Sequence, residues 1–192
     1  MPGVGGEEIS YEQLGLNFIT HVVTPERVAA TIARVAGDGV KVGPMNAGPG
    51  GAASVTATGH IGSVRAENVL RGGPLSFDAT IPIDLSLEVR IAGTTHRYAG
   101  SLTVPLRISV RAEAPVVLVF DIAPVAPEEV NVALSADGMR ARILQRLGGV
   151  DDEVRRAVAN TVTERLDSEE AKAVRRIDVV RYVEEAWSPG ER

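Results

Sequence analysis

Apolar residues occupy every odd position from Leu75 to Ile91, and the even positions between them are mostly polar or charged. That is period-2 alternation, the pattern of a strand with one dry and one wet face. After Gly93-Thr94 the phase switches, and apolar or small residues fall on even positions from Tyr98 to Val110. The two runs predict one long antiparallel hairpin. A type II′ turn at Gly93-Thr94 would pair Ile91 with His96, Ile83 with Val104 and Pro82 with Pro105. In that register all the apolar residues share one face. A strand of this length would reach about 55 Å, far beyond the usual five or six residues, so the ribbon has to curl. Neither proline can donate to a ladder, and a bend is expected where they meet.

The rest of the chain sorts around this hairpin. Ser10 is placed to cap a helix through about Val22, with Tyr11, Leu14, Phe18 and Val22 on one stripe. Thr24-Pro25 starts a second helix carrying Val28, Ala29, Ile32, Val35 and Ala36, and Gly37 ends it. Strands are predicted at 40–44, 53–61, 64–69, 115–123 and 130–136. The run from Val116 to Ile122 is apolar on both faces and reads as a doubly covered strand. Helical periods then take over. Met139, Ile143, Leu144 and Leu147 line one helix, capped by Asp137 and stopped at Gly148-Gly149. Val154, Ala157, Val158, Thr161, Val162 and Leu166 line the next. Asp167 or Ser168 caps a short third helix and Asp178 a last one ending near Trp187. Segregated strands and helices mean α+β: a long, strongly bent antiparallel sheet of about seven strands, wrapped around or packed on N- and C-terminal helices. Residues 1–9 and 188–192 read as tails, and 10–187 as a single domain.

Composition narrows the function classes. The chain of 192 residues is long enough to bury roughly 70% of its unfolded surface. It has no Cys, which excludes a disulfide framework and thiol redox chemistry. A net charge of −5 and few aromatic residues argue against nucleic-acid binding. The first residues lack the basic and apolar regions of a secretory signal, and no stretch approaches 18 apolar residues. A cytoplasmic location is the expectation. The Arg-rich C-terminal half is balanced by as many acids and reads as a solvated helical surface.

Candidate chemistry is sparse. Of the three histidines, His21 sits near a helix end, His60 on the polar phase of its strand and His96 beside the hairpin turn. None has metal-site spacing, so no metal or other cofactor is expected. Asp151-Asp152-Glu153 and Asp167-Ser168-Glu169-Glu170 lie at helix starts, where acids favour the dipole and cap free N–H groups. Asp78 and Asp84 fall about 20 Å apart along one strand and cannot work as a pair. The Gly-Pro-Gly-Gly around Gly48 to Gly51 lacks the Lys-Ser/Thr and the helix of a phosphate loop. No serine has the flanking context of a nucleophile.

What remains is the apolar face of the hairpin: Phe77, Ile81, Ile83, Leu85, Leu87, Leu102, Val104, Leu106 and Ile108. Flanking helices can fill it as a core. Alternatively, the curled sheet leaves an elongated apolar cavity for a lipid or similar small molecule. The second arrangement resembles the tubular lipid-binding superfamily on the strength of Leu75 to Val110, with Met139 to Leu166 as the wrapped helix. The resemblance implies a curved sheet holding acyl chains against a long helix, and it carries over no motif residue. Two features depart from it: the interruption at Gly148-Gly149 and the absence of a signal sequence. The chain also resembles actinobacterial proteins of this size and composition, which implies no activity. The expectation is a non-catalytic, hydrophobic-ligand-binding domain, with the nine residues above as the binding face. The alternative is a structural or interaction protein with a full core, whose sheet edges or terminal helices bind a protein partner or make a homodimer. An enzyme of cyclase type ranks third. It would need polar groups inside a cavity, for which His60, His96 and Tyr98 are the candidates.

Overall fold

The computed structural model describes residues 7–69, 75–135 and 150–187. The predicted helix at 139–147, the loop at 71–74 and the tail at 188–192 lie outside the described residues. Two helices, α1 (Tyr11–Val22) and α2 (Pro25–Ala36), precede an eight-stranded antiparallel sheet. Its strands are β1 (Gly39–Ala47), β2 (Ala53–Ile61), β3 (Arg65–Val69), β4 (Ser76–Ile91), β5 (Thr94–Glu113), β6 (Val117–Ile122), β7 (Asn131–Ser135) and β8 (Arg176–Asp178). Helices α3 (Val150–Leu166), α4 (Glu169–Val174) and α5 (Val179–Trp187) complete it, with β8 inserted between the last two. The fold is α+β with a strongly curled half-barrel sheet, as the alternation predicts.

Helix ends follow side-chain chemistry. Ser10 Oγ accepts from the Gln13 amide at 3.1 Å and Ser168 Oγ from the Ala171 amide at 3.2 Å. Thr24 does the same for Arg27, and Asp178 Oδ1 takes the amides of Val180 and Arg181. Gly37 ends α2 at φ 72°, a conformation that glycine adopts at little cost.

The hairpin register differs from the predicted one by two residues. The turn is Ala92-Gly93, with φ of 46° and 82°. Positive φ at both central residues makes it type I′, whose twist matches that of the strands. Ile91 therefore pairs with Thr94, Ile83 with Leu102 and Ile81 with Val104. Because side chains repeat every two residues, the slip leaves each one on its predicted face. It does separate the prolines: Pro82 lies opposite Thr103, and Pro105 opposite Thr80.

That placement explains the curl. The Val110 amide donates to the Leu75 carbonyl, so odd positions of β4 and even positions of β5 make the bonds within the hairpin. Pro82 and Pro105 fall in the other pairs and turn their backbone nitrogens outward. There the neighbours are interrupted. β2 pairs with β4 only as far as Ile83, and β3 begins at Thr80. On the other side β7 reaches Thr103 and β6 begins at Ile108. The long hairpin thus joins two smaller sheets, β1-β2-β4-β5-β7 and β3-β4-β5-β6-β8. Each proline sits in the joint, with its nitrogen away from its hairpin partner, and the Gly62 amide still donates to the Pro82 carbonyl at 2.8 Å.

Two details differ from expectation at the edges. Val116 lies in the turn before β6 and is 49% exposed, so only Val117 and Leu118 of that apolar run are buried. β1 is longer than predicted and carries a bulge between Val42 and Met45.

Candidate functional site

The predicted apolar face is assembled as one surface. All nine residues are at most 4% exposed, and Phe77, Leu87 and Val104 have no exposure at all. β2 adds Val55 and Ala57 to the same face through its pairing with Val89 and Leu87. Two helices pack against it. From α2 come Val28, Ile32 and Ala36, and from α3 come Val150, Val154, Val158, Ala159 and Leu166. The predicted stripe of α3 thus meets the sheet, although Ala157, Thr161 and Val162 sit at its half-buried margin. Arg165 of α3 donates to the Ala36 carbonyl at the end of α2, which ties the two covering helices together.

A small gap lies at the joint between the two smaller sheets. Ile81 and Ile83 form its floor, Val35 and Ala36 one wall, and Val162 and Leu166 the other. Its volume is about 20 Å³. A cavity needs about 10–15 Å³ to hold one water, so the gap is of that order and far below an acyl chain. A wider trough of about 380 Å³ lies near the start of β4. Its side chains Ser76, Asp78, Arg107, Ser109 and Asp121 come from the outer phase of the sheet. It is shallow and ringed by ion pairs: Arg107 meets Glu129, and Arg111 meets both Asp121 and Glu113.

The three polar candidates do not converge. His60 is exposed and registered against Asp84 on the outer face. Tyr98 is buried opposite Leu87 on the inner face, and half-buried His96 stands opposite Val89 nearer the turn. His21 lies on α1, where Nδ1 is 2.8 Å from the Asn17 carbonyl. The acids at the start of α3 pair within the helix, Asp152 with Arg155 and Glu153 with Arg156. Among the described residues no group of three or more His, Asp or Glu side chains is placed to hold a metal ion. No described helix is long and apolar enough to cross a membrane.

An electrostatic cluster lies at the end of β5, where Arg176 of β8 reaches across to Glu113. Arg111, and then Arg176, hydrogen-bond the Glu113 carboxylate and hold its pKa below the usual glutamate range. Arg176 reaches it at 2.6 Å. This cluster is exposed and fastens the C-terminal segment to the sheet.

Apolar surface is left on the terminal helices. No residue of α1 is buried. Tyr11 is 94% exposed, Leu14 52%, Leu16 50% and Phe18 43%. On α5, Tyr182 is 64% and Trp187 83% exposed. Sequence periodicity marks α1 as amphipathic but cannot say what its stripe faces.

No protein-family model matches the chain, and no curated protein matches it.

Proposed function

We propose that this chain is a non-catalytic interaction domain. The half-barrel and its two covering helices form a filled core, and the terminal helices hold apolar side chains out to solvent for association with a second copy of the chain. One observation carries this reading. Among the described residues the gap over Ile81 and Ile83 holds only about 20 Å³, while Tyr11 and Trp187 stand 94% and 83% exposed. Large apolar side chains left on the outside of a helix are what interfaces leave uncovered in the isolated chain.

A second reading is binding of a lipid or other elongated hydrophobic molecule between sheet and helices, with the nine inner residues as its bed. What favours it is the position of the gap. It is walled by apolar side chains, lies over Ile81 and Ile83, and sits between the ends of the two helices that would have to part. The resemblance to tubular lipid-binding proteins points the same way. Native mass spectrometry of the purified chain, followed by solvent extraction, separates the two. An apoprotein mass with a population at twice that mass supports the interaction domain. A monomer carrying extra mass that leaves with solvent overturns it in favour of the ligand.

A further inference from the structure

We infer that the half-barrel is built as two lobes hinged across the joint of the long hairpin, and that the hydrogen bond from Arg165 to Ala36 is the latch that holds them closed. This goes beyond both readings above, since it concerns how the inner face opens and not what meets it. Three observations converge.

The first is how the elements sort. The outer edge of β4 passes from β2 to β3 between Ile83 and Thr80, and that of β5 passes from β7 to β6 between Thr103 and Ile108. The helices divide in the same way. α3 lies against β1 and β7, and α2 against β3. One lobe is therefore β1, β2, β7 and α3 on the half of the hairpin that carries the turn. The other is α2, β3, β6 and β8 on the opposite half.

The second is what joins them. At Ile81 and its partner Val104 the sheet narrows to the hairpin alone, with no strand on either side among the described residues. A ribbon of two strands twists further than a wider sheet. Elsewhere the chain crosses between the lobes through loops at Gly37-Asp38, Gly62 to Val64, Ala123 to Val130 and Asp167-Ser168. Hinges are made of such segments, which absorb changes of φ and ψ while the packed elements move as bodies.

The third is the packing between the lobes. Where they meet, the gap over Ile81 and Ile83 separates Val35 and Ala36 of one lobe from Val162 and Leu166 of the other. Side chains that border a gap have fewer contacts to lose on opening. Arg165 of α3 reaches across and donates to the Ala36 carbonyl in the last turn of α2, where the helix dipole favours a cation. Release of that bond lets the two helix ends part, and the gap between them widens.

The chain has no Cys, so pairs of spin labels can be introduced without a competing thiol. Double electron–electron resonance between Thr58→Cys on β2 and Glu67→Cys on β3, both exposed positions, reads the separation of the lobes. His60→Cys with Thr95→Cys, also exposed, lies within one lobe and is the reference. The distance distribution across the joint is expected to be at least twice as wide as the reference. Arg165→Met keeps the aliphatic stem and removes the donor. It should widen the first distribution further and leave the second unchanged. Equal widths in both pairs, with and without Arg165, overturn the hinge. A wide distribution across the joint that Arg165→Met does not alter overturns the latch. Amide exchange at Phe77 and Leu87 in the β4–β5 ladder tells hinge opening from unfolding. If Arg165→Met speeds exchange at both alike, the chain opens as one cooperative unit, which overturns the inference.

Discussion

The hairpin and α1 both carry periodic apolar patterns and meet opposite fates. In the hairpin, Phe77 and Leu87 have no exposure. In α1, Tyr11 is 94% exposed and no residue is buried. The difference does not lie in the strength of the pattern. It lies in the supply of partners. Among the described residues α2 and α3 cover the inner face of the sheet, with their ends meeting over Ile81 and Ile83. α1 precedes them and, among the described residues, meets the core only through Ile19 and the following Val23. Periodicity states that a side must be dry and does not say which surface dries it.

The sharpest way to break this comparison is to make one substitution in both regions. Phe77→Ala should cost about 3–5 kcal/mol of stability, because it removes a fully enclosed ring and leaves a cavity. Tyr11→Ala, measured at a concentration where the chain is monomeric, should change stability by about 0.5 kcal/mol or less. Urea denaturation of the two variants reads both values. A loss of several kcal/mol at Tyr11 would mean that α1 is packed on the fold and is not free to bind.

The density of the inner face gives the next effect. Gly59 lies between Val40 and Leu85 in the sheet. A Cβ there would come within 2.5 Å of Ile83 Cγ2 and 2.9 Å of Val40 Cγ1. Gly59→Ala should therefore destabilise by about 1–3 kcal/mol through overpacking, seen as a lower denaturation midpoint. A neutral or stabilising result would mean that the face beside the gap has slack, and would strengthen the ligand reading.

At the hairpin tip the expected sign reverses. Ala92 holds φ 46°, a left-handed conformation that an alanine adopts at a cost. Asn tolerates it better and, before Gly93, makes the favoured type I′ pair. Ala92→Asn should stabilise the chain by about 1 kcal/mol, measured by thermal melting. No gain would mean that the turn contributes little to pinning the register.

Much of this fold is legible in the sequence, for local reasons. The caps at Ser10, Thr24, Ser168 and Asp178 follow from the reach of a side-chain oxygen to an amide two or three residues on. The inner and outer faces of β4 and β5 survive a wrong register, since a slip of two is one period. The sequence puts the turn one residue too late because Gly93 satisfies a first central position as well as a second one, and nothing in the sequence marks Ala92 as left-handed. β8 was not legible at all. Arg176–Asp178 is too short to alternate, and its strand character comes from pairing with Val117, Leu118 and Val119. Nor do the nine inner residues say whether they are core or binding bed. A packed helix and an acyl chain want the same aliphatic side chains, and only the helices that arrive decide how much space is left.

The smallest effect concerns the far end of the hairpin, where the segment leading to α5 is held to the sheet. Glu113 accepts from Arg111 and Arg176, and its carboxyl titrates below the usual glutamate range. A group whose pKa is lower in the folded chain stabilises above its unfolded value, near 4.3, and that contribution fades as pH falls through the folded value. Acidification below about pH 4 should thus loosen β8 while the hairpin stays closed. The reporters are the Phe120 amide, which donates to the Arg175 carbonyl, and the Val179 amide, which donates to Val116. Their hydrogen-exchange protection should fall in acid relative to that of the β4–β5 ladder, and Glu113→Gln should lower it already at neutral pH. Exposed ion pairs contribute little, so the change should stay local. If protection in β8 and in the hairpin fell together, the C-terminal segment would be part of the same cooperative unit as the core. α5 would then be fixed to the half-barrel, and its exposed Tyr182 and Trp187 would form a rigid apolar surface at that end of the sheet.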